Sequence, residues 1–222
     1  MKRTLVISDI HGELDKFDQL LERAGYDVKT DQLILLGDYI DRGPDPRGVL
    51  TRVMELKEQG AIVLRGNHDE MMVAVADQDP DAWERWEKNG AIHTLKSYDS
   101  SIEKMEIPDS DTFRQHVSFI KKMDYYYQTD DYIFVHAGVD PDIPVEETDP
   151  LILIWIREPF HHGYHGEKTV VFGHTPTAYF HGKGNHGVYY GKNNIIGIDG
   201  GAVYGGQLNC LELETNHVYS VQ

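Results

Sequence analysis

Leu5-Val6-Ile7-Ser8-Asp9-Ile10-His11-Gly12, Leu33-Ile34-Leu35-Leu36-Gly37-Asp38 and Ala61-Ile62-Val63-Leu64-Arg65-Gly66-Asn67 decide the fold. Each is a short apolar run that ends in a polar turn, as a strand buried on both faces would. Between the first two, Glu13 to Ala24 sets Leu14, Phe17, Leu20 and Leu21 at helical spacing, and Val49 to Leu56 repeats the pattern before the third. Strand, helix, strand, helix, strand in about 65 residues predicts a parallel sheet flanked by helices. Ligands of such sheets gather at the carboxyl ends of the strands. Asp9, Asp38 and Asn67 fall just past those ends, so three distant segments should meet at one edge.

Residues 70 to about 122 have a different character. Trp83, Trp86, Ile92, Leu95 and Tyr98 predict short helices, and a further helix runs from about Thr112 to Lys122. This reads as a helical insertion beside the site, with packing as its ordinary role and a cap over the substrate pocket as its functional one. From Tyr125 the period returns to β. Tyr132-Ile133-Phe134-Val135 leads into His136, and Thr169-Val170-Val171-Phe172 into Gly173-His174. Ile195 to Ile198, Gln207 to Leu213 and His217 to Val221 complete a second, mainly antiparallel sheet. The expectation is α/β: a four-layer α/β/β/α sandwich of two mixed sheets flanked by helices, one domain over residues 1–222.

Hydrophobic residues make up 40% of the 222 and charged residues 26%, enough to bury a core and stay in solution. The formal charge of −16, from 37 acids against 21 bases, argues against binding nucleic acid or an anionic membrane through a basic surface. Cys210 is the single cysteine, so no intrachain disulfide forms. The apolar run after Lys2 and Arg3 is too short for a signal peptide. No stretch approaches the roughly 18 apolar residues that span a bilayer. A cytoplasmic protein is expected.

Five motifs occur in order: Ser8-Asp9-Ile10-His11-Gly12, Gly37-Asp38-Tyr39-Ile40-Asp41-Arg42-Gly43, Gly66-Asn67-His68-Asp69, His136-Ala137-Gly138 and Gly173-His174-Thr175. One Gly-Asp pair is commonplace in turns; five motifs in order, four after a strand-like run, are specific. Asp9 and His11 stand two apart in a turn released by Gly12 and could converge on one ion. Asp38 has two carboxylate oxygens and could bridge two ions about 3.5–4 Å apart. Asn67 offers a neutral amide oxygen, and His136 and His174 offer imidazoles, common metal ligands. A mixed nitrogen and oxygen set suits two divalent ions, with Mn²⁺, Fe, Zn²⁺ and Mg²⁺ all fitting. Two such ions would outweigh the ligand carboxylates and keep the site positive inside an acidic protein. Arg42 can fork onto phosphate oxygens. His161, His162, His165, His181 and His186 lie among glycines without ligand spacing and read as solvated loop, or as a substrate-contacting rim. Arg65 reads as structural, and Cys210 as a small buried hydrophobe.

These motifs resemble the phosphoprotein-phosphatase branch of the calcineurin-like metallophosphoesterases, especially its small bacterial members. The resemblance runs from Asp9 to Asp199-Gly200-Gly201-Ala202-Val203-Tyr204-Gly205-Gly206. It implies that Asp9, His11 and Asp38 hold one metal, and that Asp38, Asn67, His136 and His174 hold the other. It also implies that His68 is the general acid with Asp41 as its hydrogen-bonding partner, and that Arg42 and Arg157 bind the substrate phosphate. A hydroxide bridging the metals would attack phosphorus in line, and His68 would protonate the leaving oxygen.

Two features point to different substrates. Protein phosphatases of this branch usually carry Glu where this chain has Asp69, whereas Gly-Asn-His-Asp is seen in the related symmetrical dinucleoside-tetraphosphate hydrolases. Those hydrolases typically lack the aspartate that this chain keeps as Asp41. Asp199-Gly200-Gly201 also departs from the usual Asp-Thr-Gly. Asp41 carries more weight because it bears on the proton donor. The first expectation is therefore a phosphatase acting on phosphoserine and phosphothreonine in proteins or on a small phosphorylated substrate. The second is a symmetrical diadenosine tetraphosphate hydrolase releasing ADP. Outside enzymes, a non-catalytic phosphate-binding scaffold would be expected to lack His68 or Asp41, and neither is missing.

Overall fold

The computed structural model describes residues 3–222; Met1 and Lys2, part of the basic start noted above, lie outside the described residues. Strands β1 (Arg3–Ile7), β2 (Asp31–Leu35) and β3 (Ile62–Val63) pair in parallel and are joined by helices α1 (Leu14–Ala24) and α2 (Pro46–Glu58). α1 ends at Gly25, whose φ of 60° is the left-handed cap that glycine adopts cheaply. α2 starts on Asp45, whose carboxylate accepts from the Gly48 amide at 2.8 Å, with Pro46 in the first turn. Four helices follow: α3 (Asn67–Ala76), α4 (Ala82–Lys88), α5 (Ala91–Tyr98) and α6 (Asp111–Ile120). The rest of the chain runs β4 (Tyr126–Gln128), β5 (Tyr132–Val135), α7 (Pro150–Trp155), α8 (Glu158–Gly163), β6 (Thr169–Phe172), α9 (Ala178–His181), β7 (Tyr189–Tyr190), β8 (Ile195–Gly197), β9 (Leu208–Glu212) and β10 (His217–Val221).

Alternation along the strands builds the layers. Leu5, Ile7, Leu33 and Leu35 point to one face of the first sheet and pack with α1 to α6 through Phe17, Leu20, Val49, Val53 and Trp86. Val6, Ile34 and Leu36 point to the other and meet Phe134, Val171 and Ile196 of the second sheet. Ile133, Val135, Val170 and Phe172 face away from that interface and pack under Leu153, Phe160 and Tyr164 of α7, α8 and the turn that follows. Three apolar layers between four structural ones give the expected α/β/β/α sandwich of two mixed sheets.

The second sheet departs from the expectation. Its order is β4-β5-β6-β8-β7, and its centre, β5-β6-β8, is parallel; only the outer pairs are antiparallel. Continuous apolar runs such as Val170-Val171-Phe172 are buried on both faces, which is the signature of parallel strands. β9 and β10 belong to the first sheet, whose order is β10-β9-β1-β2-β3, with Cys210 opposite Ile7 and Leu211 opposite Val6. Cys210 is buried as expected, and that burial pushes its thiol up to about 12.

His161 is another correction. It sits in α8, buried against Phe172 and Phe180, and neither ring nitrogen has a partner among the described residues. His162 and His165 are not buried, and His181 is exposed. Burial lowers His161 to about 4, and likewise His116, whose ring meets the Tyr98 hydroxyl at 2.5 Å. An unfolded histidine titrates near 6.5. Between about 6.5 and 4 the unfolded chain therefore binds more protons, and stability present above 6.5 falls as pH drops toward 4. Urea midpoints at pH 7.5 and 5 should show the fall, and His161→Phe should shrink it. An equal fall in the variant would mean that His161 charges without cost.

Candidate active site

The five motifs meet where the two sheets' loops converge. Past the strand ends, the β1 and β2 loops continue to pair: Asp9 N donates to Gly37 O at 3.2 Å, His11 N to Asp38 O at 2.9 Å and Gly12 N to Tyr39 O at 2.9 Å. Glycine lets the backbones approach. A Cβ on Gly66 would overlap Asp38, and one on Gly173 would overlap Ser8 and Asp9. Of the nine non-glycine residues with positive φ among the described residues, six are here: Asp9, His11, Asp38, Asp41, Arg42 and His174. That conformation costs on the order of 1 kcal/mol or more each and persists only where surrounding structure imposes it, most often at functional sites.

Asp38 is the hub. Its Oδ2 lies 3.5 Å from His11 Nε2, 3.4 Å from His136 Nε2 and 4.0 Å from His68 Nε2. Its Oδ1 accepts from the His68 amide at 2.9 Å. Two sets of three side chains bring their donor atoms within 4.8 Å of one another: His11, Asp38 and His68, and Asp38, His136 and His174. Asn67 Oδ1 lies 2.9 Å from both His136 Nε2 and His174 Nδ1. Asp9 lines the same cavity but is in neither set; its Oδ2 accepts from the Ser8 hydroxyl and from the His174 amide at 2.9 Å.

The rings are oriented as metal ligands are. His11 Nδ1 lies 2.8 Å from Ile40 O and His136 Nδ1 lies 3.0 Å from Leu36 O. A carbonyl only accepts, so Nδ1 carries the proton and Nε2 is the atom turned toward Asp38, where that of His11 also accepts from Arg42 Nη1 at 2.8 Å. A lone pair facing a carboxylate at 3.4–3.5 Å is repulsive unless a cation or a proton lies between them. Without metal, burial and then the neighbouring His68 lower His11 to about 3. Burial opposes a proton on His136 as well, but Asp38 raises it to about 9. Burial likewise opposes charge on Asp38, yet His136 and His68 hold it well below the usual carboxylate range. The donor set fits two divalent cations, and the buried charges are poised to receive them.

His68 stands apart in its second contact: Nδ1 lies 2.5 Å from Asp41 Oδ2. Around these groups opens a cavity of about 300 Å³ that includes His68, Arg42, Arg157, Trp155, Asp199 and Tyr204 in its wall. Arg42 reaches His11 Nε2 at 2.8 Å and lies 5.2 Å from the Tyr204 ring centre. Arg157 is exposed at the head of α8. Arg65 is outside, paired with Glu70 at 2.9 Å and donating to the Tyr125 hydroxyl at 3.0 Å, as its structural reading expects. Trp155 and Asn89 were not legible as cavity residues, because each comes from a segment without a strand-end motif; Tyr204 lies in the Asp199–Gly206 stretch after β8 but was given no role of its own.

Asp69 stands outside both metal-competent sets. It is fully buried and accepts from the amides of Gly66 at 2.9 Å, Asp38 at 2.9 Å and Tyr39 at 3.2 Å. It therefore fastens the start of α3 to the Asp38 loop and does not line the cavity. Asp69→Asn should turn an NH₂ against these donors and weaken metal affinity by about 10–100-fold, as loss of an outer partner does. Titration calorimetry with Mn²⁺ checks this; unaltered affinity would remove Asp69 from the support of Asp38.

The chain is similar to known proteins in sequence and in fold. The family described as calcineurin-like phosphoesterase matches residues 2–212. A protein of Nitrosomonas europaea named bis(5'-nucleosyl)-tetraphosphatase, symmetrical, is 30% identical over 148 residues, 67% of this chain and 49% of that protein. The chain thus spans about half the length of the first curated relatives it matches. A protein of the same name from Vibrio cholerae is 27% identical over 271 residues, 97% of this chain and 96% of that one. A crystal structure described as a putative diadenosine tetraphosphatase superposes with a TM-score of 0.74 at 22% identity, covering 99% of this chain and 93% of that one, which shows a shared fold. With metal-competent side chains gathered at the strand ends and the family match running over residues 2–212, the chain belongs to the calcineurin-like phosphoesterases.

Proposed function

We propose that the protein is a two-metal phosphatase that hydrolyses phosphomonoesters with unactivated leaving groups, with phosphoserine and phosphothreonine in proteins as the leading substrates and Mn²⁺ as the leading ion, acting in the cytoplasm. Asp9, His11, Asp38, Asn67, His136 and His174 would hold the ions. Bound, these would supply positive charge to the phosphoryl oxygens and an activated water. Arg42 and Arg157 grip the phosphate and hold it in line. His68 keeps Nδ1 on Asp41, and its Nε2 gives a proton to the leaving oxygen.

The observation that carries this reading is the buried His68–Asp41 pair at 2.5 Å, with His68 in the cavity wall and its Nε2 4.0 Å from Asp38 Oδ2. A serine or threonine alkoxide is far more basic than a nucleoside diphosphate, so an oriented proton donor matters most for the former. A second reading, hydrolysis of diadenosine tetraphosphate to ADP, is supported by the relatives' names and by a groove. About 390 Å³ in volume and lined by Arg85, Asn89, Leu151 and Trp155, the groove shares Asn89 and Trp155 with the cavity and offers room for a nucleoside. No helix among the described residues is long and apolar enough to cross a membrane. The deciding experiment compares kcat/KM of the Mn²⁺-loaded protein on a phosphothreonine peptide and on diadenosine tetraphosphate, with products identified. Preference for the peptide supports the first reading; preference for the dinucleotide, with ADP released, replaces it.

A further inference from the structure

Asp41 is held by more than His68. Trp86 Nε1, on α4, donates to both of its carboxylate oxygens, at 3.0 Å to Oδ1 and 2.9 Å to Oδ2. Thr94 Oγ1, on α5, donates to Asp41 Oδ1 at 2.5 Å and accepts from the Asp41 amide at 2.9 Å. All three residues are fully buried, at 0% exposure. The amide contact matters because Asp41 is in the left-handed region at φ 70°, a conformation that needs an outside hold. Between α4 and α5, Gly90 sits so close to the Asp41-Arg42 turn that a Cβ would meet Arg42 Cγ at 3.0 Å and Arg42 N at 3.3 Å. Asn89, at the end of α4, offers Oδ1 to Arg42 Nη2 at 3.5 Å. The α4–α5 hairpin therefore touches both the proton donor's partner and a phosphate-binding arginine.

We propose that Trp86 and Thr94 are positioning residues for proton transfer: they fix the Asp41 carboxylate, which in turn fixes the His68 ring with Nε2 toward the leaving group. The helical region between β3 and β4 is thereby part of the machinery that protonates the leaving group as well as a packing element. Packing alone would not place the indole N–H and the threonine hydroxyl, the two polar groups of that hairpin with 0% residue exposure, on one carboxylate. The inference rests on His68 being the proton donor.

The test is the dependence of kcat on leaving-group basicity, measured with a series of aryl phosphates from p-nitrophenyl to phenyl phosphate. This readout does not depend on the natural substrate. Thr94→Val keeps the shape and removes the hydroxyl; Trp86→Phe removes the N–H. Each should steepen the dependence and lower kcat on phenyl phosphate by about 10-fold more than on the p-nitrophenyl ester, part of the 10²–10⁴-fold typical of a lost acid catalyst. KM and metal content should stay near the wild-type values, and Thr94→Ser should restore the shallow dependence. His68→Asn is the reference. If it steepens the dependence while Thr94→Val and Trp86→Phe lower all esters by one factor, the positioning role is overturned and the proton donor stands. If His68→Asn itself leaves the dependence unchanged, the proton-donor reading falls and this inference with it.

Discussion

Asp38→Ala should lose both metal ions and turnover in the same preparation. No other side chain touches as much of the site: Asp38 Oδ2 faces His11, His136 and His68 within 4.0 Å, and Oδ1 anchors the His68 amide. Removing it leaves inward-facing histidines with no anionic bridge, so cations brought together would repel one another with nothing between them. The loss of metal affinity should exceed the about 100-fold that an outer partner costs. Circular dichroism should show the fold retained, because Asp38 lies in the loop past the end of β2 and belongs to none of the three apolar layers. Two ions per chain found by elemental analysis of the variant would end its assignment as the bridge.

His68→Asn should behave in the opposite way, keeping metal and fold but cutting kcat by about 10²–10⁴-fold on an alkyl phosphate. Asparagine preserves a polar side chain in α3 and removes the transferable proton. An activated aryl ester, whose leaving group needs that proton less, should suffer a smaller loss. Full kcat on the alkyl phosphate would exclude His68 as proton donor and leave its contact with Asp41 a structural one. Together the two substitutions separate the halves of the site: one should abolish metal binding, the other only proton delivery.

Most of this site could be read before any coordinates, because its residues follow strand ends. Asp9, Asp38, His136 and His174 each close an apolar run, and parallel topology carries such ends to one edge. Asn67 and His68 were legible as a motif but not as the first turn of α3, since the two-residue strand β3 gives way to the helix at Gly66 without a polar side-chain cap. The second sheet was misjudged at its centre: β5, β6 and β8 pair in parallel, although β5 and β6 are continuous apolar runs of the kind that parallel strands carry. The return of β9 to the first sheet is a long-range pairing, with Leu211 opposite Val6, that no local pattern encodes. Trp86 looked like core because it is core, and Thr94 drew no reading at all. Their bonds to Asp41 depend on how a hairpin some fifty residues away docks, which spacing does not reveal.

Metal-free protein should be titrated with Mn²⁺, with bound ions counted by elemental analysis and turnover of p-nitrophenyl phosphate followed in the same samples. Binding should saturate at two ions per chain, with turnover appearing as the second site fills. Full turnover in samples holding one ion or none would contradict a two-metal site centred on Asp38.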